Sequence, residues 1–99
     1  MNNLEKNERI NNLLELYGNL LTDKQKEVMD MYYKYDLSIS EISENCNISR
    51  AATFDMIKRV EKTLEDYESK LNLLNKREKI TKIIEKLDEK TKEDILDIL

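Results

Sequence analysis

The sequence predicts an all-helical protein, and three observations predict it. Its 99 residues contain one Gly and no Pro, so the turn chemistry that hairpins and sheet corners demand is missing. Apolar residues recur at i, i+3, i+4 and i+7, the period of one helix face. The regular recurrence also separates a chain that is 39% hydrophobic and 38% charged from a disordered one. A chain this short supports one domain, with or without an appendage, and no second independent core.

The elements follow in order. Ile10, Leu13, Leu14 and Tyr17 form one stripe, which predicts a first helix from about Leu4 to Tyr17. Gly18, the only glycine, stands where a left-handed cap would end it. Thr22 with Gln25 is a capping-box signature, with Leu21 placed as a hydrophobic staple. A second helix therefore starts there and ends near Tyr35, with Val28, Met31, Tyr32 and Tyr35 inward; Tyr32, Tyr33 and Tyr35 read as half-buried core edge with their hydroxyls in water. Asp36 to Ser38 reads as a polar break. Ser40 to about Cys46 makes two turns of a third helix, carrying Ile42 and Cys46 inward, with Cys46 a small buried hydrophobe. Asn47 tolerates the left-handed geometry of a turn, and Ser49 caps a helix opening at Arg50.

That fourth helix is long. Ile57, Val60, Leu64, Tyr67, Leu71 and Leu74 are spaced 3, 4, 3, 4 and 3, a heptad seam of about two and a half repeats. Such a stripe is not left in water, so either the C-terminal helices fold back on it or a second copy covers it; a homodimer is the expectation. Ile80, Ile83, Ile84 and Leu87 start a new phase, which places a turn or kink between Asn72 and Lys76. A last short helix is expected from Thr91, presenting Ile95, Leu96, Ile98 and Leu99.

Composition excludes most chemistry. Without His there is no imidazole base, no Ser–His or Cys–His nucleophile pair and none of the commonest metal ligands. One Cys builds neither a thiolate zinc site nor an internal disulfide, and a lone thiol suits a reducing cytoplasm. One Gly excludes a glycine-rich phosphate loop. Acid pairs such as Asp88 with Glu89 lack a cleft to work in. No catalytic residue, cofactor or metal is expected. The polar start MNNLEKNERI is no signal sequence, and no apolar stretch approaches the roughly 20 residues of a membrane span; the expected place is the cytoplasm.

The charge is acidic, 17 Lys and Arg against 21 Asp and Glu for a net −4. No segment is a basic stripe, which weighs against tight sequence-independent phosphate binding. The most informative segment is nonetheless Ser40 to Arg59, SEISENCNISRAATFDMIKR. A helix-turn-helix needs a small residue where two helices cross, a turn residue tolerant of left-handed geometry, an apolar plug, an N-cap and a projecting first turn. Ser43, Asn47, Ile48, Ser49 and the turn Arg50 to Phe54 fill those slots. Two capped helices with a short turn also occur in plain bundles, so the segment alone leaves a recognition motif and a packing corner both open.

The wider context carries a resemblance. LTDKQKEV (Leu21 to Val28), LSISEISE (Leu37 to Glu44) and NISR (Asn47 to Arg50) resemble region 4 of bacterial sigma factors. ISRAATFDMIKRVE (Ile48 to Glu61) and the following LEDYESKL (Leu64 to Leu71) are similar to the YlxM-type (UPF0122) family of helix-turn-helix proteins. The resemblance covers about Leu13 to Leu74 well, and the rest in length and character. It implies a sigma region-4-like helix-turn-helix domain, 1–67, with an amphipathic C-terminal helical extension, 68–99, packing on the domain or a dimer partner. It also implies a regulatory or accessory role in the signal recognition particle pathway, because genes of the family neighbour those of the particle's GTPase or its receptor. Ser43, Asn47 and Thr53 stand where region-4-like motifs usually carry Ala, Gly and Val. Ala51 replaces a longer side chain that would reach a base edge, and Asp55 repels phosphate.

The expected nucleic-acid contacts are Ser49, Arg50, Ala51, Phe54 and Lys58, with Ser49 capping and Arg50 and Lys58 on phosphate. Phe54 either stacks on a base or closes a core or dimer interface. Lys58 with Glu61, and Glu61 with Glu65, read as solvated helix surface. Candidate partners are the particle's GTPase or RNA, DNA, and a second copy; no membrane or small-molecule substrate is expected. The competing class is a protein-interaction module whose helix-turn-helix is scaffold, supported by the acidic charge, Ala51 and Asp55. A third is a duplex-DNA-binding transcriptional regulator.

Overall fold

A computed structural model describes residues 2–99. Among them lie six α-helices and no strand: α1 (Asn3–Tyr17), α2 (Asp23–Met29), α3 (Ile39–Cys46), α4 (Arg50–Leu71), α5 (Leu73–Ile83) and α6 (Glu89–Ile98). The all-helical expectation holds, and so does the turn placed after Leu71. There Asn72 adopts φ 59°, a left-handed residue that separates α4 from α5. The boundary expected between 67 and 68 falls inside α4.

Helix α4 is the hub, with α1, α2 and α3 packed along it. Ile10, Leu13 and Tyr17 of α1, Val28 and Met29 of α2, and Ile42 of α3 form one core with Ile57, Val60 and Leu64 of α4 and Leu74 of α5. The heptad seam is therefore interior from Ile57 to Leu64, where α1, α2 and α3 of the same chain cover it. Its end departs from the pattern. Tyr67 is half-buried, Leu71 is exposed, and Leu74 is buried from the far side of the Asn72 corner. A bidentate pair from Arg9 to Glu65 (Nε to Oε2 2.8 Å, Nη2 to Oε1 2.7 Å) reinforces the α1–α4 contact.

Five local expectations need correction. Gly18 is right-handed (φ −56°); α1 tightens into a 3₁₀ turn, Gly18–Leu20, rather than ending on a left-handed cap. The Thr22–Gln25 capping box forms in both directions, but α2 passes into a π turn, Asp30–Lys34. The wider turn shifts the helical phase, so Tyr35 faces solvent, while Tyr32 and Tyr33 are half-buried as expected. Helix α3 starts one residue early on a second capping box, Ser38 with Glu41, and Cys46 is only half-buried. Helix α6 is capped by Asp88, which accepts from the Thr91 amide at 2.8 Å, so Thr91 lies inside the helix and does not start it.

Candidate nucleic-acid interface

The α3–α4 corner is built as a helix-turn-helix requires. Ser43 is buried at the helix crossing, its hydroxyl donating to the Ser40 carbonyl at 2.8 Å. Asn47 is left-handed (φ 55°), and the Ile48 amide reaches back five residues to the Ser43 carbonyl at 3.1 Å, the bond that closes a Schellman-type helix end. Ser49 caps α4 by accepting from the Ala52 amide at 3.0 Å. Thr53 is fully buried, and its hydroxyl is satisfied by the Ser49 carbonyl at 2.9 Å. The turn residue, the cap and the small residue at the crossing thus stand where the sequence placed them.

The register of α4 sorts its first two turns. Thr53, Ile57 and Val60 point into the core, while Ser49, Arg50, Ala51, Phe54, Asp55 and Lys58 are exposed. All five expected contact residues are thus exposed over the first turns of α4. Phe54 is 50% exposed and closes no core; the Lys58 ammonium sits 5.4 Å from its ring centre. Arg50 makes no ion pair among the described residues, whereas Arg59 holds Asp55 at 2.9 Å and Lys58 holds Glu61 at 3.5 Å.

Glu61 corrects the surface reading. It is buried, four residues after Ile57 and one after Val60, on the inner side of α4. The Tyr33 hydroxyl donates to its Oε2, and Lys6 of α1 approaches Oε1 at 3.3 Å. Burial, then the hydrogen bond to Glu61, pushes the Tyr33 phenol well above its ordinary value, so Tyr33 remains the donor. These residues border a cavity of about 310 Å³ lined also by Asn3, Asn7, Tyr32, Phe54 and Lys58. Lys6 is absent from the residues singled out in the sequence, where Tyr33 is expected with its hydroxyl in water and Glu61 as solvated surface. The readable signal was an acid falling on the core stripe of α4; its partners lie 28 and 55 residues away in the chain and follow no local spacing.

Electrostatically the face is mixed: Arg50, Lys58 and Lys6 against Asp55 and Glu61. The Lys58–Glu61 pair joins an exposed ammonium to a buried carboxylate, and Lys6 approaches the same carboxylate oxygen at 3.3 Å. Among the described residues no three His, Cys, Asp or Glu gather as metal ligands, and no helix is long and apolar enough to cross a membrane.

The fold and this corner define a helix-turn-helix protein. Residues 4–98 match the family described as "Putative helix-turn-helix protein, YlxM / p13 like", and the chain belongs to that family, UPF0122. A UPF0122 protein of Oceanobacillus iheyensis is 51% identical over 84 residues, covering 85% of this chain and 80% of the relative. One from Halalkalibacterium halodurans is 48% identical, covering 87% and 79%. Another, from Lactococcus lactis, is 46% identical over 91 residues, covering 92% and 82%. The family is described by its helix-turn-helix and not by a reaction.

Proposed function

We propose that this protein is a non-enzymatic nucleic-acid-binding accessory factor that acts as a homodimer in the signal recognition particle pathway. The observation that carries the nucleic-acid reading is the outward turn of α4, where Ser49 fixes the helix start and Arg50 stands without an acid partner. Around Arg50 the contact surface is Ala51, Phe54 and Lys58, with Phe54 offering an exposed ring on which a base can stack. The net charge of −4 favours a ligand recognised by shape and stacking over one held by phosphate charge alone. The pathway rests on the family resemblance; within it the particle's RNA fits this face better than duplex DNA, because Ala51 is too short to read a base edge and Asp55 repels the backbone.

One observation favours a second reading, in which the helix-turn-helix is scaffold for binding the particle's GTPase. Arg59 and Lys58 are already engaged by Asp55 and Glu61, which leaves few free cations on the face. Anisotropy titration against labelled particle RNA and labelled random duplex DNA, at low and moderate salt, separates the readings. RNA-selective binding that persists at moderate salt and weakens about tenfold in Arg50→Ala is the expected result. Equal, salt-sensitive binding to both would reduce the face to generic electrostatics. Absence of binding to either would transfer the assignment to the protein-interaction module.

A further inference from the structure

The geometry points to residues 73–99 as the homodimerisation arm: the hairpin of α5 and α6 pairs with the same hairpin of a second copy, α5 against the partner's α6. The chain is elongated, with extents of 49 × 27 × 25 Å and a radius of gyration of 15.8 Å, against about 13 Å for a compact chain of this length. Beyond Leu74, none of the apolar residues of this arm belongs to the main core. Ile84 is buried away from that core, and α6 packs on α5. Outside that contact, Ile83 is 78% and Ile98 85% exposed, and Leu87 and Leu99 are exposed beside them. Four large apolar side chains exposed on one short two-helix arm offer a surface that another element can cover.

The arm's charge says which element. From Leu73 to Leu87 there are five Lys and Arg against two Glu, and from Asp88 to Leu99 five Asp and Glu against two Lys. Helical spacing sets the opposed charges beside the apolar residues: Lys76, Lys79 and Lys86 lie at i−7, i−4 and i+3 from Ile83, and Asp94 at i−4 from Ile98. Lys76, Lys79 and Lys86 make no ion pair among the described residues, nor do Glu93 and Asp97. A two-fold axis brings a basic apolar strip onto an acidic apolar strip twice over, the self-complementarity that an isologous interface needs. Residues 73–99 also match in size the roughly 20–30 residues that each side of a standard interface contributes.

This dimer deepens the homodimer of the proposed function and is independent of its nucleic-acid face, which lies at the other end of α4, about 33 Å away along a 22-residue helix. Sedimentation velocity on the whole chain over a concentration series tests it. Wild type is expected at twice 11.8 kDa. The double variant Ile83→Glu, Ile98→Glu, at exposed positions, should keep its helical circular dichroism and dissociate at least about tenfold more readily. Lys79→Glu with Lys86→Glu should weaken the dimer, and adding Asp94→Lys with Asp97→Lys should restore it. A wild type that stays monomeric, or a dimer indifferent to the Ile83 and Ile98 pair, overturns the inference. A charge reversal that is not rescued overturns the α5-on-α6 arrangement. Arg50→Ala should leave the dimer untouched, so a failure here and a failure of the nucleic-acid reading are told apart.

Discussion

The Tyr17 hydroxyl donates a 2.6 Å hydrogen bond to Oε1 of Glu68, and together the two residues start helix α5. Asn72, left-handed at the corner, supplies no side-chain cap. In its place the Leu73 amide donates to the Tyr17 hydroxyl at 3.1 Å, the Leu74 amide to Glu68 Oε1 at 3.0 Å and the Asn75 amide to Oε2 at 3.1 Å. Three of the four orphan amides of a helix start are thus satisfied from α1 and α4, and a carboxylate sits at the positive end of the α5 dipole. The arm's angle to the body is therefore set by a buried charge-assisted network.

Breaking that network should loosen the whole C-terminal arm. Tyr17→Phe strands the Leu73 amide and removes one donor from Glu68, a loss of about 1–3 kcal/mol. Glu68→Gln should cost more, because whichever way the amide is turned its NH₂ meets a backbone amide donor instead of accepting from it. Urea denaturation should rank stability as wild type, then Tyr17→Phe, then Glu68→Gln; equal midpoints for all three would show that the network contributes nothing.

The same carboxylate predicts the acid limb. Burial alone would raise the Glu68 carboxyl, but hydrogen bonds from Tyr17, Leu74 and Asn75, with Arg9 nearby, hold it below its ordinary value of 4.5. A group depressed in the folded state contributes stability that is complete above its unfolded pKa and disappears as pH falls through the folded one. The gap in stability between wild type and Glu68→Gln should therefore be constant above about pH 5.5 and narrow below about pH 4.5. The acids that cap α3 and α6, Glu41 and Asp88, are common to both proteins and cancel. A gap that does not change with pH would mean that the charge of Glu68 is immaterial.

The alkaline limb has the opposite sign. Burial first, then hydrogen bonds to Glu68 and Glu61, raises the phenols of Tyr17 and Tyr33. Their stability is complete below the unfolded value of 10.0 and is lost as pH rises through the folded one. Ultraviolet titration of the folded chain should show Tyr17 and Tyr33 ionising above pH 10.0. Removal of an acid partner, in Glu68→Gln for Tyr17 or Glu61→Gln for Tyr33, should lower the ionisation of that phenol; a titration unchanged by either substitution would contradict both bonds.

The local chemistry was legible and the long-range chemistry was not. Thr22 with Gln25, Asn47, Ser49 and the break at Asn72 act within four residues, and each is visible as a residue type at a spacing. Ser38 with Glu41 carries the same signature, yet the polar Asp36–Ser38 stretch hides it as a loop. The π turn at Asp30–Lys34 has no signature of its own, and by shifting the phase it exposes Tyr35 and aims Tyr33 at Glu61. Glu61 and Glu68 violate the hydrophobic stripe of α4 because their partners arrive from α1, the α2 turn and α5, which the spacing of α4 does not encode. The proposed contact face shares this division. Arg50, Phe54 and Lys58 were readable from the motif, while Lys6 was not.

Thr53 offers a test of how the helix-turn-helix tolerates a polar core residue. Its hydroxyl donates to the Ser49 carbonyl at 2.9 Å, and its own backbone amide reaches the same oxygen at 3.0 Å. Deleting the hydroxyl therefore leaves no buried acceptor unpaired, so the penalty that normally follows loss of one partner is absent. Thr53→Val also replaces a buried oxygen by a methyl within a fully enclosed site, at a position where a hydroxyl bonding four residues back slightly disfavours the helix. The substitution should raise stability by about 0.5–1 kcal/mol. It should also leave the proposed nucleic-acid affinity unchanged, since Thr53 is fully buried whereas Arg50, Phe54 and Lys58 are exposed. Thermal unfolding with the anisotropy titration checks both halves. A loss of stability would mean that the hydroxyl fixes the angle between α3 and α4, and a parallel loss of affinity would place that angle at the centre of recognition.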